Sequence, residues 1–349
     1  MKRGWHGLWS IGFAIVVAHV AAGGDASAHG GVDEDRTPQE ESSTAARPAP
    51  VPERSTPAGG EEGEAAERVA VALDAVLGWG NVPFAVQNLP TAGTQAITYS
   101  RSDATPSDVQ SFVLTGRFDA TEHLAVGVRL PFTLGTFSPA GSAARSTTSL
   151  GNVELEGELE TRLGAQVKLV GALGVALPTG QGDEIPTTLV DVPASSVNAG
   201  SYDRYSLARA AALARGYEDN ALFETGRLGV VPKIAIVYRG PRVGLEPYVK
   251  VENLIQAASS LDTPYVGELV AGVRAVYRFT RNIEAALRAW ANVGFAGTPD
   301  DMKTSVAVEP DLVISSGAVR AYGGFVAPVA GPPADADFFG VRLGLVVAF

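Results

Sequence analysis

The sequence predicts an all-β fold, an antiparallel up-and-down β-barrel of about twelve strands that crosses a membrane. Three observations point there. Residues 152–178 alternate apolar and polar along two strands joined by a tight turn. The same period of two recurs from residue 69 to residue 349. Short connections alternate with long ones over that stretch, the asymmetry of outer-membrane barrels.

The hairpin at 152–178 is the clearest element. Val153, Leu155, Gly157, Leu159 and Thr161 fall on one face, and Glu154, Glu156, Glu158, Glu160 and Arg162 on the other. After a turn at 163–165, Val167, Leu169, Gly171, Leu173, Val175 and Leu177 share one face; Lys168, Ala172, Gly174 and Ala176 share the other. A helix would scatter the four glutamates, whereas a strand stacks them. Each strand is about ten residues long, enough to cross a bilayer when tilted.

The chain of 349 residues carries a net charge of −11 and no cysteine. Disulfides, thiolate metal sites and a lipidated N-terminal cysteine are thereby excluded, and no nucleic-acid footprint is expected. Lys2 and Arg3 precede an apolar run over 8–22, followed by Ala26, Ser27 and Ala28. That is the pattern of a secretory signal peptide spanning 1–28, cut near Ala28. Residues 29–68 hold ten acids against four arginines and are rich in Pro, Glu, Ser, Ala and Gly. Such a tract cannot build a core, so a disordered periplasmic segment is expected. The barrel would occupy 69–349. No later run is apolar and long enough for a membrane helix.

Twelve strands follow in order. The first is 69–79, with Asp74 on the polar face. Next come 109–118 with Arg117 inward and 124–134 with Arg129 inward, then the two strands of the hairpin. The sixth is 228–238 with Lys233 inward. The seventh is 243–253, with Glu246, Tyr248, Lys250 and Glu252 on one face. The eighth, 269–279, points Arg274 and Arg278 inward. The ninth, 283–295, points Glu284, Arg288, Trp290 and Asn292 inward. The tenth, 306–314, carries Glu309 and Asp311; the eleventh, 319–329, Arg320 and Tyr322; the twelfth, 339–349, Arg342. An even number leaves both ends on the periplasmic side. Short turns are expected at 119–123, 163–165, 239–242, 280–282 and 315–317. Long loops are expected at 80–108, 135–150, 179–227, 254–268, 296–305 and 330–338. The longest, 179–227, contains SLARAAALARG, which reads as a helix of two or three turns. Folded inward it would constrict the pore; folded outward it would cap the mouth.

Aromatic residues fall at strand ends, with Phe118, Tyr238, Tyr277, Phe279 and Phe349 near one rim and Trp79, Phe132, Phe295 and Phe339 near the other. Two such girdles suit headgroup-level anchoring. Alternation alone leaves open which face is wet. Eight strands already fill with side chains, so twelve lined with Val, Leu and Ala would leave a void. The apolar face is therefore expected to meet lipid. The inward set then balances ten bases (Arg117, Arg129, Lys168, Lys233, Lys250, Arg274, Arg278, Arg288, Arg320, Arg342) against ten acids, the four glutamates of the hairpin with Asp74, Glu246, Glu252, Glu284, Glu309 and Asp311. Alternate carboxylates on a strand stand about 7 Å apart and repel unless cations or water intervene. Two uses are open for the glutamate column: a charge network that holds the wall together, or a filter favouring cations.

The stretch TTSLGNVELEGELETRLG followed by VGALGVALPTGQGDE resembles the outer-membrane barrel family named for the meta-pathway of phenol degradation. Leu150, Gly151 and Asn152 lead one strand, and Leu177, Pro178, Thr179 and Gly180 close the next; GGFVAP at 323–328 and the terminal Phe349 are also similar. The resemblance implies a channel for small, often hydrophobic, molecules. It also implies recognition of the last strand, ending on Phe349, by the barrel assembly machinery. Asn152 stands where that family commonly has an acid. The expected partners are outer-membrane lipid, the assembly machinery and a small-molecule solute, with no cofactor and no metal. The alternative is a closed structural or adhesion barrel whose outer loops bind partners. Catalysis is not expected, because His123 falls in a periplasmic turn, away from any outward-facing site.

Overall fold

The computed structural model describes residues 68–87, 96–97, 99–185, 192–193, 199–258, 263–298 and 304–349. The expected signal peptide and the expected disordered segment, as far as residue 67, lie outside the described residues.

Twelve strands close into one antiparallel barrel: β1 (Val69–Gln87), β3 (Tyr99–Asp119), β4 (Leu124–Phe137), β6 (Glu154–Arg162), β7 (Val167–Ala176), β9 (Arg227–Arg239), β10 (Val243–Gln256), β11 (Tyr265–Thr280), β12 (Ile283–Ala296), β13 (Thr304–Ser316), β14 (Val319–Ala330) and β15 (Phe339–Ala348). Closure is made by β1, which pairs with β3 on one side and β15 on the other, Leu73 facing Leu345 and Trp79 facing Phe339. Each of these twelve strands is paired on both sides, which leaves lipid no open edge along them. A short pair, β2 (Ala96–Ile97) and β8 (Val192–Pro193), stands apart.

A thirteenth strand, β5 (Arg145–Leu150), pairs with the upper half of β4, while β6 pairs with its lower half. The two pieces are one strand interrupted at 151–153. The long loop expected at 135–150 is therefore largely strand. The loop expected at 80–108 likewise shrinks, because β1 runs on to Gln87 and β3 starts at Tyr99.

The outer face is apolar. Leu155 is 51% exposed, Leu159 61% and Leu173 51%, whereas Glu154 is 4% and Glu158 7% exposed. Alternation thus places hydrocarbon outside and charge inside, the reverse of a soluble sheet. Phe118, Tyr238, Tyr277, Phe279 and Phe349 are exposed at the short-turn rim, and Phe132, Phe295 and Phe339 at the other. Trp79 stacks on Phe339 with ring centroids 5.4 Å apart.

The lumen is not lined by charge alone. Val76, Val109 and Val113 face inward and, with Phe84, Phe137 and Phe338, form an apolar seat. Helix α1 (Ala199–Ala214) packs there through Leu207, Ala210, Ala211 and Ala214. It lies in the loop after β7 and spans four turns rather than two or three. Alanine suits it twice over: it has the highest helix propensity, and its small side chain lets the helix approach the wall closely. Gly78 and Gly340 sit opposite each other in the β1–β15 pair, against Ala214. A Cβ on Gly340 would lie 2.5 Å from the Ala214 carbonyl oxygen and 2.8 Å from Val76. Gly340→Val is expected to push the helix end off the wall at a cost of about 1–3 kcal/mol of overpacking. The urea midpoint of the folded barrel should fall; an unchanged midpoint would show that the contact does not hold the helix.

Candidate functional site: a strap across the lumen

The helix ends in a Schellman arrangement. The amide of Gly216 donates to the Leu213 carbonyl (2.9 Å) and that of Tyr217 to the Ala212 carbonyl (2.9 Å). Gly216 has φ +61° and Tyr217 φ +58°. A side chain at Gly216 would be strained and would also meet Trp290 and Ala307 at 2.8 Å. These two left-handed residues turn the chain from the helix into a strap, residues 215–224, that crosses the lumen.

Side chains from seven barrel strands grip it. From β1, Asp74 accepts from Arg215 Nη1 (2.6 Å), and from β3, Ser111 Oγ accepts from Arg215 Nε (3.0 Å). On β12, Trp290 Nε1 donates to the Gly216 carbonyl (2.9 Å) and Asn292 Nδ2 to the Tyr217 carbonyl (3.1 Å). Glu218 receives Arg288 Nη1 at 2.8 Å on both carboxylate oxygens, Tyr248 OH at 3.0 Å and Arg342 Nη1 at 3.4 Å. Asp219 lies 3.2 Å from Arg129 Nη2, 3.6 Å from Lys250 Nζ and 3.7 Å from Arg215 Nη1. Lys250 Nζ also donates to the Glu218 carbonyl. Asn220 Nδ2 donates to Glu268 (2.7 Å), and Glu252 accepts the Ala221 amide at 2.8 Å. The short helix α2 (Asn220–Phe223) then docks on β9 and β10.

Asn152 is the anchor at the far end. It is fully buried, and its Nδ2 donates to the carbonyls of Ala221 (2.9 Å) and Glu224 (2.7 Å). Its Oδ1 accepts the Gly180 amide at 2.9 Å, and Thr179 Oγ1 accepts the Val153 amide at 2.8 Å. The break between β5 and β6 is what turns Asn152 inward. An amide both donates and accepts here, which an ionised acid could not do.

Three of the four ladder glutamates each pair with a cation. Glu154 meets Arg129 at 3.2 Å, Glu158 meets Arg117 at 3.2 Å, and Glu160 meets Lys168 at 2.5 Å. On the opposite wall Arg274 pairs with Asp311 (3.2 Å), and Arg320 and Arg278 share Glu284 (3.1 and 3.3 Å). Lys233 lies 5.5 Å over the Tyr248 ring. Beneath the strap, toward the short turns, is a cavity of about 80 Å³, room for several waters. Glu154, Glu156, Glu158, Arg117, Arg129, Lys233 and Lys250 all line it, with Glu218 and Asp219 of the strap. Glu160 and Lys168 lie nearer the short-turn rim, Arg274 and Arg320 on the far wall, and Arg288 and Arg342 under the strap. Higher up, Arg145 Nη2 lies 2.6 Å from Asp203 of α1. Burial pushes that carboxyl above its ordinary value against the pull of Arg145.

Sequence reasoning missed the strap residues Arg215, Glu218, Asp219 and Asn220. One signal was present: RGYEDN lies between AAALA and ALF, and a loop in open water has no need of such apolar flanks. Among the described residues no cluster of three or more His, Asp or Glu could hold a metal.

The fold is similar to that of the COG4313 outer membrane channel from Pseudomonas putida F1, with a TM-score of 0.52 at 14% identity over 84% of this chain and 100% of that one. The beta domain of the Bordetella autotransporter BrkA has a TM-score of 0.45 at 12% identity, covering 81% and 100%. The NanC porin has a TM-score of 0.43 at 7% identity, covering 79% and 100%. No family model and no curated protein matches the sequence. The fold shared with the COG4313 channel is the closed antiparallel barrel.

Proposed function

We infer that this chain is a passive channel for small solutes in a bacterial outer membrane, narrowed by its own strap. One observation carries the reading: within an apolar outer wall, a cavity lined by charged side chains lies beneath a chain segment that crosses the lumen. Similarity to an outer membrane channel supports it at the level of fold. Export by the 1–28 signal, insertion through the Phe349 strand and contact with outer-membrane lipid belong to the same proposal. So does the absence of catalysis: His123 is 61% exposed at a turn, beside Glu122 rather than in a cleft. Passage of hydrophobic solutes rests on the family resemblance alone.

The density of bonds on the strap favours a second reading, a permanently closed barrel with a structural or adhesive role. Replacing residues 216–223 by a glycine–serine linker of equal length separates the two. The channel reading expects conductance steps in planar bilayers at least tenfold larger than those of the wild type. A variant that folds and inserts, yet shows no steps, sinks it.

A further inference from the structure

The strap does more than obstruct, because two adjacent carboxylates sit in a nest of donors that a solute could use. Arg288, Arg342 and Tyr248 converge on Glu218; Arg129 and Lys250 converge on Asp219. Each of these four cations also holds a wall carboxylate: Arg288 with Glu309 at 2.6 Å, Arg342 with Asp74 at 2.8 Å, Lys250 with Glu252 at 2.7 Å and Arg129 with Glu154 at 3.2 Å. The wall partners pin the cations in place, so the inward donors keep their aim when the strap moves. They also neutralise the wall, so a lumen without the strap is not a ring of bare buried charge.

We propose that this cradle is a binding subsite for small organic carboxylates, and that Glu218 and Asp219 are a tethered imitation of the solute. The proposal rests on the channel reading. Five aimed donors left empty in a narrow lumen are unfavourable, and a carboxylate satisfies them with charge-assisted bonds. A cation or an apolar solute offers them no acceptor. An arriving dicarboxylate would therefore exchange with the strap side chains, one pair of carboxylates for another.

Succinate is the probe, and the full folded chain in detergent is the material. Two variants are used, the 216–223 linker and E218Q/D219N, so that the idea stays testable if one fails to fold. Titration calorimetry should show either variant binding succinate at least tenfold more tightly than the wild type, with the gain abolished by adding Arg288→Gln. Equal affinity in variant and wild type overturns the proposal. In bilayers, added succinate should reduce the current of a conducting variant. An unchanged current overturns the subsite while leaving the channel standing. A variant that binds succinate tightly but never conducts supports the subsite and removes the channel.

Discussion

Replacing Asp74 by alanine will lower the stability of the folded barrel by about 3–5 kcal/mol, the range for stranding a buried charge. Asp74 is 4% exposed and carries three partners at once. Arg342 reaches it with Nε at 2.8 Å and Nη2 at 3.0 Å, Arg215 with Nη1 at 2.6 Å, and Tyr322 with its hydroxyl at 2.8 Å. The two arginines come from opposite sources, one from the closing strand and one from the strap. Without the carboxylate they face each other with Glu218 and Glu309 as the remaining acids for Arg342 and Asp219 for Arg215. Asp74→Asn keeps an acceptor and should lose less. The measurement is the urea midpoint of the refolded protein in lipid. A wild-type midpoint for Asp74→Ala would mean that the network carries no net stability. Because Asp74 also ties the strap, the alanine variant should show larger conductance than the asparagine variant.

The same residue marks how far the sequence could be read. Asp74 was legible as a polar interruption in an apolar strand, and its inward direction follows from alternation. Its partner Arg342 was legible the same way, on the strand 339–349, where Phe339, Val341, Leu343, Leu345, Val347 and Phe349 hold the other face. Lipid imposes that regularity: one face of each strand meets an apolar medium along its whole height, so the code has period two and little noise. Arg215 was not legible. The strap obeys no period, because its residues answer to walls that come from strands far away in the chain. Val109 and Val113 show the same limit from the other side. They are apolar yet face inward, where the alternation rule expects polar residues, because α1 covers them. The interruption at 151–153 hid β5 for a related reason: the strand leaves the sheet there so that Asn152 can hold the strap. The polar stretch before residue 108, with Pro106 in it, looked like loop because that part of β3 lies in the extended end of the β1–β3 hairpin, where the outward residues Pro106, Asp108 and Gln110 are exposed but not apolar.

Val249→Arg tests the orientation on which all of this depends. Val249 lies midway along β10 and is 41% exposed on the outer face. Its lateral neighbours are Ala271 and Ile234, both pointing the same way. An arginine there would sit near the middle of the hydrocarbon, at a cost of about 2–4 kcal/mol for an outer-membrane barrel. Snorkelling offers little relief at that depth, because either headgroup layer is half a strand away. Glu156→Gln is the matched control: Glu156 is half-buried and lines the polar cavity within the lumen, so removing its charge there should change stability by under about 1 kcal/mol, the scale of an exposed charge pair. Refolding yield into vesicles and urea midpoints give both numbers. If Val249→Arg folded as well as the wild type while Glu156→Gln collapsed, the apolar belt could not be the surface that meets lipid. The strap would then have to be read as part of a packed interior, not as an obstruction in a pore.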